Sequence, residues 1–257
     1  MPRSPRREPA ALAVAVAAAA PLFDERLGAE FFARDALVVA RDLLGTLLVH
    51  RLGDGEPRAV RIVETEAYRG PTDLASHARA GLTKRTRTIY GAPGRAYVYL
   101  IYGMYDCFNV VCFGEGKGHA VLVRAGEPIS GIPDSLRTDG PGRMTRALGI
   151  TRAHDGFDLR DSALFLAPRA TRGRPSMTTT ARVGVGYSGI YADKPWRFFD
   201  ATSGHVSRPS QRQIGSGVPI APPPRLPPPP QTQTLRSGRK NDLMSSASRT
   251  GSSMGRK

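Results

Sequence analysis

The stretch from Arg61 to Arg79, RIVETEAYRGPTDLASHAR, limits the possible folds more than any other part of the chain. Its first half alternates as a strand does, with successive side chains on opposite faces. Ile62, Glu64, Glu66 and Tyr68 then share one face, and Val63, Thr65 and Ala67 the other. Two carboxylates and a phenol on one face are an odd choice for a core, because a buried charge must find a partner. Gly70-Pro71 ends the strand in a turn. Past that turn His77 can fold back towards the same face. An acid, a ring and a histidine converging after a tight turn form the outline of an active site.

Periodicity and turn residues place the neighbouring elements. From Asp24 to Leu48 apolar residues recur at helical spacing, with Asp35 as N-cap of a helix through Leu44 and Gly45 as its stop. Thr46 to Leu52 reads as a strand that turns at Gly53-Asp54-Gly55 into a partner from Arg58 to Tyr68. Ala96 to Phe113 is dense in apolar and aromatic residues and breaks at Tyr102-Gly103, which predicts a hairpin. Tyr97 is expected inside the sheet. Tyr102, beside a turn glycine, is hard to bury and suits a wedge between base pairs. His119 to Ala125 is an apolar strand closed by Arg124, a charge that must be paired or functional there. Asp139 to Gly142 opens a short connecting helix through Leu148, stopped by Gly149. Two further strands, Ala163 to Leu166 and Arg182 to Tyr187, precede an aromatic close at Trp196, Phe198 and Phe199. The expected fold is α+β: one domain with a curved, mainly antiparallel sheet, flanking helices and a protruding hairpin at Tyr102.

The net charge of +15 over 257 residues is unevenly spread. Nine Lys and Arg residues lie between Arg208 and Lys257, against one acid, Asp242. The central part keeps only about +5, a moderate basicity that still favours a polyanionic partner. Residues 208–257 are rich in Pro, Ser, Gly and Arg with almost no large apolar side chains, so they are expected to form a disordered basic tail. Residues 1–21 have the basic start and Ala-rich run of a secretory leader. The run is only weakly apolar and nothing downstream needs oxidising conditions, so the expectation is a disordered leader on a cytoplasmic, nucleoid-associated protein. Residues 22–207 remain for the domain. The two cysteines, Cys107 and Cys112, supply neither a disulfide framework nor a C-x-x-C metal spacing, and they read as structural thiols. No apolar run reaches the length of a membrane span.

A carboxylate beside a histidine and an arginine suits activation of a water for hydrolysis. Aromatic rings around it suit a flat substrate. The loop carrying Arg79, Lys84, Arg85, Arg87 and Arg95, without an acid, suits a phosphate backbone. An enzyme acting on a base stacked in a duplex needs all three, since it must extrude the nucleotide, stack the base and fill the gap. Spacing alone leaves Glu64 and Glu66 undecided as the base. It also leaves open a carbohydrate glycosidase and a non-catalytic nucleic-acid binder. The former is disfavoured because residues two apart on a strand project side by side, whereas a glycosidase needs carboxylates flanking the bond.

Six segments in order tighten the reading: ARDLLGTLLV (40–49), VETEAY (63–68) with His77, YVYLIYGMY…FNVV (97–111), VLVRAGEP (121–128), GPGRMTRALGIT (140–151), and RVGVGYSG (182–189) with DKPWRF (193–198). Through them the chain from about Phe31 to Ser207 resembles the alkyladenine (3-methyladenine) DNA glycosylases. The resemblance implies that Glu66 is the general base for the water attacking the sugar C1′, with Arg124 and the main-chain carbonyl of Val183 holding that water. It implies a base pocket of Tyr68, His77 and Tyr99, and Asn109 crowding the guanine amino group. Tyr102 would be the inserted ring, and Arg79, Lys84, Arg85 and Arg87 would meet the DNA backbone. Glu64 matches no catalytic role and is expected to ion-pair with an arginine. The implied enzyme is monofunctional, acts as a monomer on damaged double-stranded DNA, and uses neither metal nor cofactor. Lys84 stands where the family often has proline, Ala201 to Ser207 lacks a proline usual there, and the last fifty residues have no family counterpart.

Overall fold

Strand β2, Arg58–Arg69, is the spine of an antiparallel sheet of eight strands that curls into a half-barrel. The others are β1 (Leu47–His50), β3 (Ala96–Ile101), β4 (Tyr105–Cys112), β5 (His119–Ser130), β6 (Leu164–Ala167), β7 (Met177–Thr180) and β8 (Arg197–Asp200). The order is β3-β4-β5-β2-β1-β6. On its far edge β2 pairs with β1 through Arg58 to Arg61 and with β8 through Glu64 to Glu66, and β7 lies outside β8. The structure, a computed structural model, describes residues 23–53, 55–170 and 175–207. The leader and tail anticipated from composition lie outside the described residues. Among the described residues, no helix is long and apolar enough to cross a membrane.

Helices α1 (Ala29–Phe32), α2 (Ala36–Leu43) and α3 (Pro141–Leu148) flank the sheet. Asp35 caps α2 by accepting from the Leu37 N–H at 2.9 Å, and Gly45 follows with φ 84°. Pro141 opens α3, and Gly149 closes it in the left-handed conformation that glycine adopts at no steric cost. Thr65 donates to the Ala40 carbonyl at 2.8 Å, so α2 covers the face of β2 opposite Glu64 and Glu66. The main core lies between that face and the helices and includes Phe32, Leu43, Ile62, Phe108, Val121 and Phe198. Full burial of each such side chain stabilises by about 1.5–3 kcal/mol.

Strict alternation does not run the length of β2. The ladder with β5 slips between Ile62 and Glu64 and again between Glu64 and Thr65, leaving Val63 and Arg124 outside the paired register. Such bulges reset the phase of a strand. Ile62 therefore packs in the helix-side core with Ala67, not beside Glu64 and Glu66 as alternation predicts. The strand expected from Arg182 to Tyr187 is also absent. That segment is a loop leading into a 3-10 turn, Gly186–Tyr191, and the pairing strand lies earlier, at Met177–Thr180. Gly184, at φ 76°, cannot continue a strand.

The hairpin of β3 and β4 closes at Ile101↔Tyr105. Tyr102 sits at its tip with φ 53°, a conformation that costs a bulky residue about 1–2 kcal/mol. Tyr102 is 66% exposed and Met104 67%. The Tyr105 ring rests on α3, where a Cβ built on Gly142 would lie 2.8 Å from it, so only glycine permits the approach.

Candidate active site

Four strands bring one row of side chains together. Tyr97 on β3 pairs with Asn109 on β4, Asn109 with Leu122 on β5, and Leu122 with Glu66 on β2. Directly paired residues project to the same side of a sheet. The face opposite the helices therefore presents Tyr97, Asn109 and Glu66 in line, with Tyr99 and Tyr68 two residues further along their strands. Asn109 is buried and donates to the Tyr97 carbonyl at 3.1 Å.

Glu66 is fully buried, but in polar surroundings. Its Oε1 accepts from the Val183 N–H at 2.7 Å and lies 3.4 Å from Arg124 Nη1, and its Oε2 accepts from the Tyr68 hydroxyl at 2.9 Å. Burial, and then the nearby Glu66, push the Tyr68 phenol well above its ordinary value, so Tyr68 stays the donor. Burial works against the Arg124 charge, yet Glu66 and Glu64 outweigh it and the guanidinium is held more firmly protonated than usual. Glu64, equally buried, is saturated differently. It accepts from Arg124 Nε at 2.9 Å and Arg197 Nε at 2.6 Å, and from the hydroxyl and main-chain N–H of Ser207 at 2.8 and 2.7 Å. Periodicity did not separate the two glutamates, but their surroundings do.

A second buried ion pair lies behind Tyr68. Arg182 and Asp73, with side chains 0% and 1% exposed, make two hydrogen bonds of 2.6 and 2.9 Å. Arg182 also donates to the Ala67 carbonyl at 2.9 Å, and its guanidinium lies 4.7 Å from the centre of the Tyr68 ring. That stacking fixes one face of Tyr68. It also anchors the residue next to Val183, whose N–H holds Glu66.

His77 opens a short 3-10 turn, His77–Ala80, after the Gly70-Pro71 turn. Its Nδ1 is 2.9 Å from the Tyr97 hydroxyl, and its ring meets Tyr99 edge-on at 4.5 Å between centres. Tyr97, expected in the interior, is buried. Burial, with Arg85 adding to it, lowers His77 to about 4. The unfolded histidine titrates near 6.5. Between those values the unfolded chain binds a proton that the folded chain refuses, so stability is lost as pH falls from about 6.5 towards 4. A His77→Gln variant should lose less melting temperature than the parent across that interval. An equal loss in both proteins would remove His77 from the acid limb.

Tyr102 lies at the hairpin tip, exposed to solvent. Arg79, Lys84, Arg85 and Arg87 are exposed. Their loop is shaped by threonines, with the Thr83 N–H donating to Thr86 Oγ1 at 2.8 Å and Thr86 Oγ1 donating to the Gly81 carbonyl at 2.7 Å. The two cysteines are buried free thiols, and burial pushes Cys107 up to about 11. A concavity lined by Val38, Arg41, Leu44 and Met177 shares no residue with this site. Sequence reasoning missed Asp73, Arg182, Arg197 and Ser207. The available signal was Arg182 itself, a charge opening the apolar run RVGVGY.

The chain is similar to known proteins over most of its described residues. Residues 30–204 match the model of a family described as methylpurine-DNA glycosylase (MPG). A Myxococcus xanthus protein named "Putative 3-methyladenine DNA glycosylase" is 53% identical over 178 residues, which cover 69% of this chain and 91% of that protein. A protein of the same name from Anaeromyxobacter dehalogenans is 54% identical over 186 residues, 72% of this chain and 88% of its own. One from Desulfitobacterium hafniense is 43% identical over 202 residues, 71% of this chain and 98% of its own. Matched across the whole region that builds the sheet and the Glu66 site, the chain belongs to the methylpurine-DNA glycosylase family.

Proposed function

We propose that this chain is a DNA N-glycosylase that removes alkylated purines from duplex DNA by hydrolysis, in base excision repair. The setting of Glu66 carries the reading: a buried carboxyl group held by Val183, Tyr68 and Arg124, inside the region matched by the family. Glu66 takes a proton from a water as the water oxygen bonds to C1′ of the sugar. The C1′–N bond breaks, and the purine leaves with its electron pair. Arg124 and the main-chain carbonyl of Val183 hold that water. Alkylation places positive charge on the ring and weakens the bond, so a cationic lesion departs without a strong acid. Tyr68, His77 and Tyr99 stack on and hydrogen-bond the extruded base, and Asn109 crowds the amino group of normal guanine. Arg79, Lys84, Arg85 and Arg87 neutralise backbone phosphates. Water is the nucleophile, so the product is an abasic site in an unbroken strand, with no Schiff base.

The direct test is release of free 3-methyladenine from methylated duplex DNA, at the same rate with and without a chelator. Duplex binding without base release would favour a non-catalytic binder instead. Tyr102 fills the gap left by the extruded nucleotide. Its positive φ supports that role, since strain at an exposed ring is retained where the ring is used. Tyr102→Gly should keep or raise the melting temperature, because glycine tolerates this conformation. It should weaken lesion binding about tenfold, since stacking a ring on a base contributes about 1–3 kcal/mol. Unchanged affinity would reject the wedge.

A further inference from the structure

We propose that Glu64 is a positioning residue, clamped by Arg197 and Ser207, that holds Arg124 away from a two-armed ion pair with Glu66. The proposal rests on the glycosylase reading and adds to it the device that keeps Glu66 free to act. All the groups involved are buried. Arg124 gives Nε to Glu64 at 2.9 Å and Nη2 to the Ser207 hydroxyl at 3.2 Å. Only Nη1 remains for Glu66, at the longer distance of 3.4 Å. A guanidinium fork commonly meets a carboxylate through two parallel hydrogen bonds. Glu64 takes Nε and Ser207 takes Nη2, which leaves Arg124 a single arm for Glu66.

The clamp on Glu64 is independent of Glu66. Arg197 donates Nε to Glu64 at 2.6 Å and Nη2 to the Ser207 carbonyl at 3.2 Å, and the Ser207 N–H and hydroxyl both reach Glu64. Two carboxylates thus face two guanidinium groups, so the cluster is balanced in charge, as a buried ionic cluster must be. The device also explains why both glutamates lie on one strand face: one is consumed so that the other is not. Glu66 already accepts from Val183 and Tyr68. A full arginine fork would occupy the lone pairs that must receive the proton of water. Ser207 lies beyond the region matched by the family, residues 30–204, so the end of the domain supplies a latch to the site.

The test is a double-mutant cycle read by single-turnover base release from methylated duplex DNA. Glu64→Gln should slow release about 100-fold, the scale of an ångström-size misplacement of a catalytic group, while binding to lesion DNA is retained. Arg124→Met should slow it comparably, and the Glu64→Gln/Arg124→Met pair should be no slower than Arg124→Met alone. A merely structural role would instead give losses that multiply. Ser207→Ala should slow release in the same direction and Ser207→Thr should restore it, which keeps the test decisive if Glu64→Gln folds poorly. Multiplying losses, a Glu64→Gln rate within twofold of the parent, or Ser207→Ala at the parental rate would overturn the proposal. Failure of the parent itself to release base would overturn the glycosylase reading, a separate result.

Discussion

Glu66→Gln is expected to bind lesion-containing DNA as the parent does and to release base at least 100-fold to 10,000-fold more slowly, the range that a general base contributes. The substitution keeps the size and planarity of the side chain. An amide oxygen can still accept from the Val183 N–H, now at 2.7 Å, and the amide nitrogen can donate to the Tyr68 oxygen, now 2.9 Å from Oε2. Shape and hydrogen bonding therefore survive while the proton acceptor is lost. Arg124 keeps Glu64 as its partner at 2.9 Å, so no uncompensated guanidinium results. The measurement is single-turnover base release with saturating enzyme, alongside lesion-DNA affinity. Release within tenfold of the parental rate would remove Glu66 from the role and leave the family match without its chemistry.

Most of the framework was legible in the sequence because it depends on local rules. Asp35 and Gly45 bracket α2, Gly149 stops α3, and Tyr102-Gly103 breaks two strands into a hairpin. Each is a statement about a few adjacent residues and their backbone preferences. The errors arise where distant partners decide. Ile62 faces the core because bulges shift the β2 register against β5, and no property of the β2 sequence announces them. Arg182 to Tyr187 alternates like a strand, but its backbone is diverted to present the Val183 N–H to Glu66. The glycines at 184 and 186 were the warning. β7 lies in Met177–Thr180, a threonine run whose β-branched residues favour extended structure. The difference in surroundings between Glu64 and Glu66 was beyond local reasoning because it depends on Arg197 and Ser207, far along the chain.

The largest stability effect is expected at Asp73, a residue that sequence reasoning passed over. Its carboxylate receives two hydrogen bonds from Arg182 and also accepts from the main-chain N–H groups of Arg69 at 3.2 Å and Ala75 at 3.1 Å. Asp73→Ala removes all four and leaves the Arg182 guanidinium buried without its counter-ion. Breaking a buried pair from one side costs about 3–5 kcal/mol, which for a domain of this size is a fall of roughly 6–20 °C in melting temperature. Arg182→Met in the same chain should recover part of that loss, because the uncompensated charge disappears and the methionine can pack against Tyr68 and Trp196, which Arg182 now stacks on. Base release should not recover with it. The pair joins the turn after β2 to the residue before Val183, so both ends of the hydrogen-bonded frame around Glu66 depend on it. Stability returning without activity would mark the pair as the part of the fold that aims the site. A single variant that melts within 2 °C of the parent would show that this frame is held by other contacts.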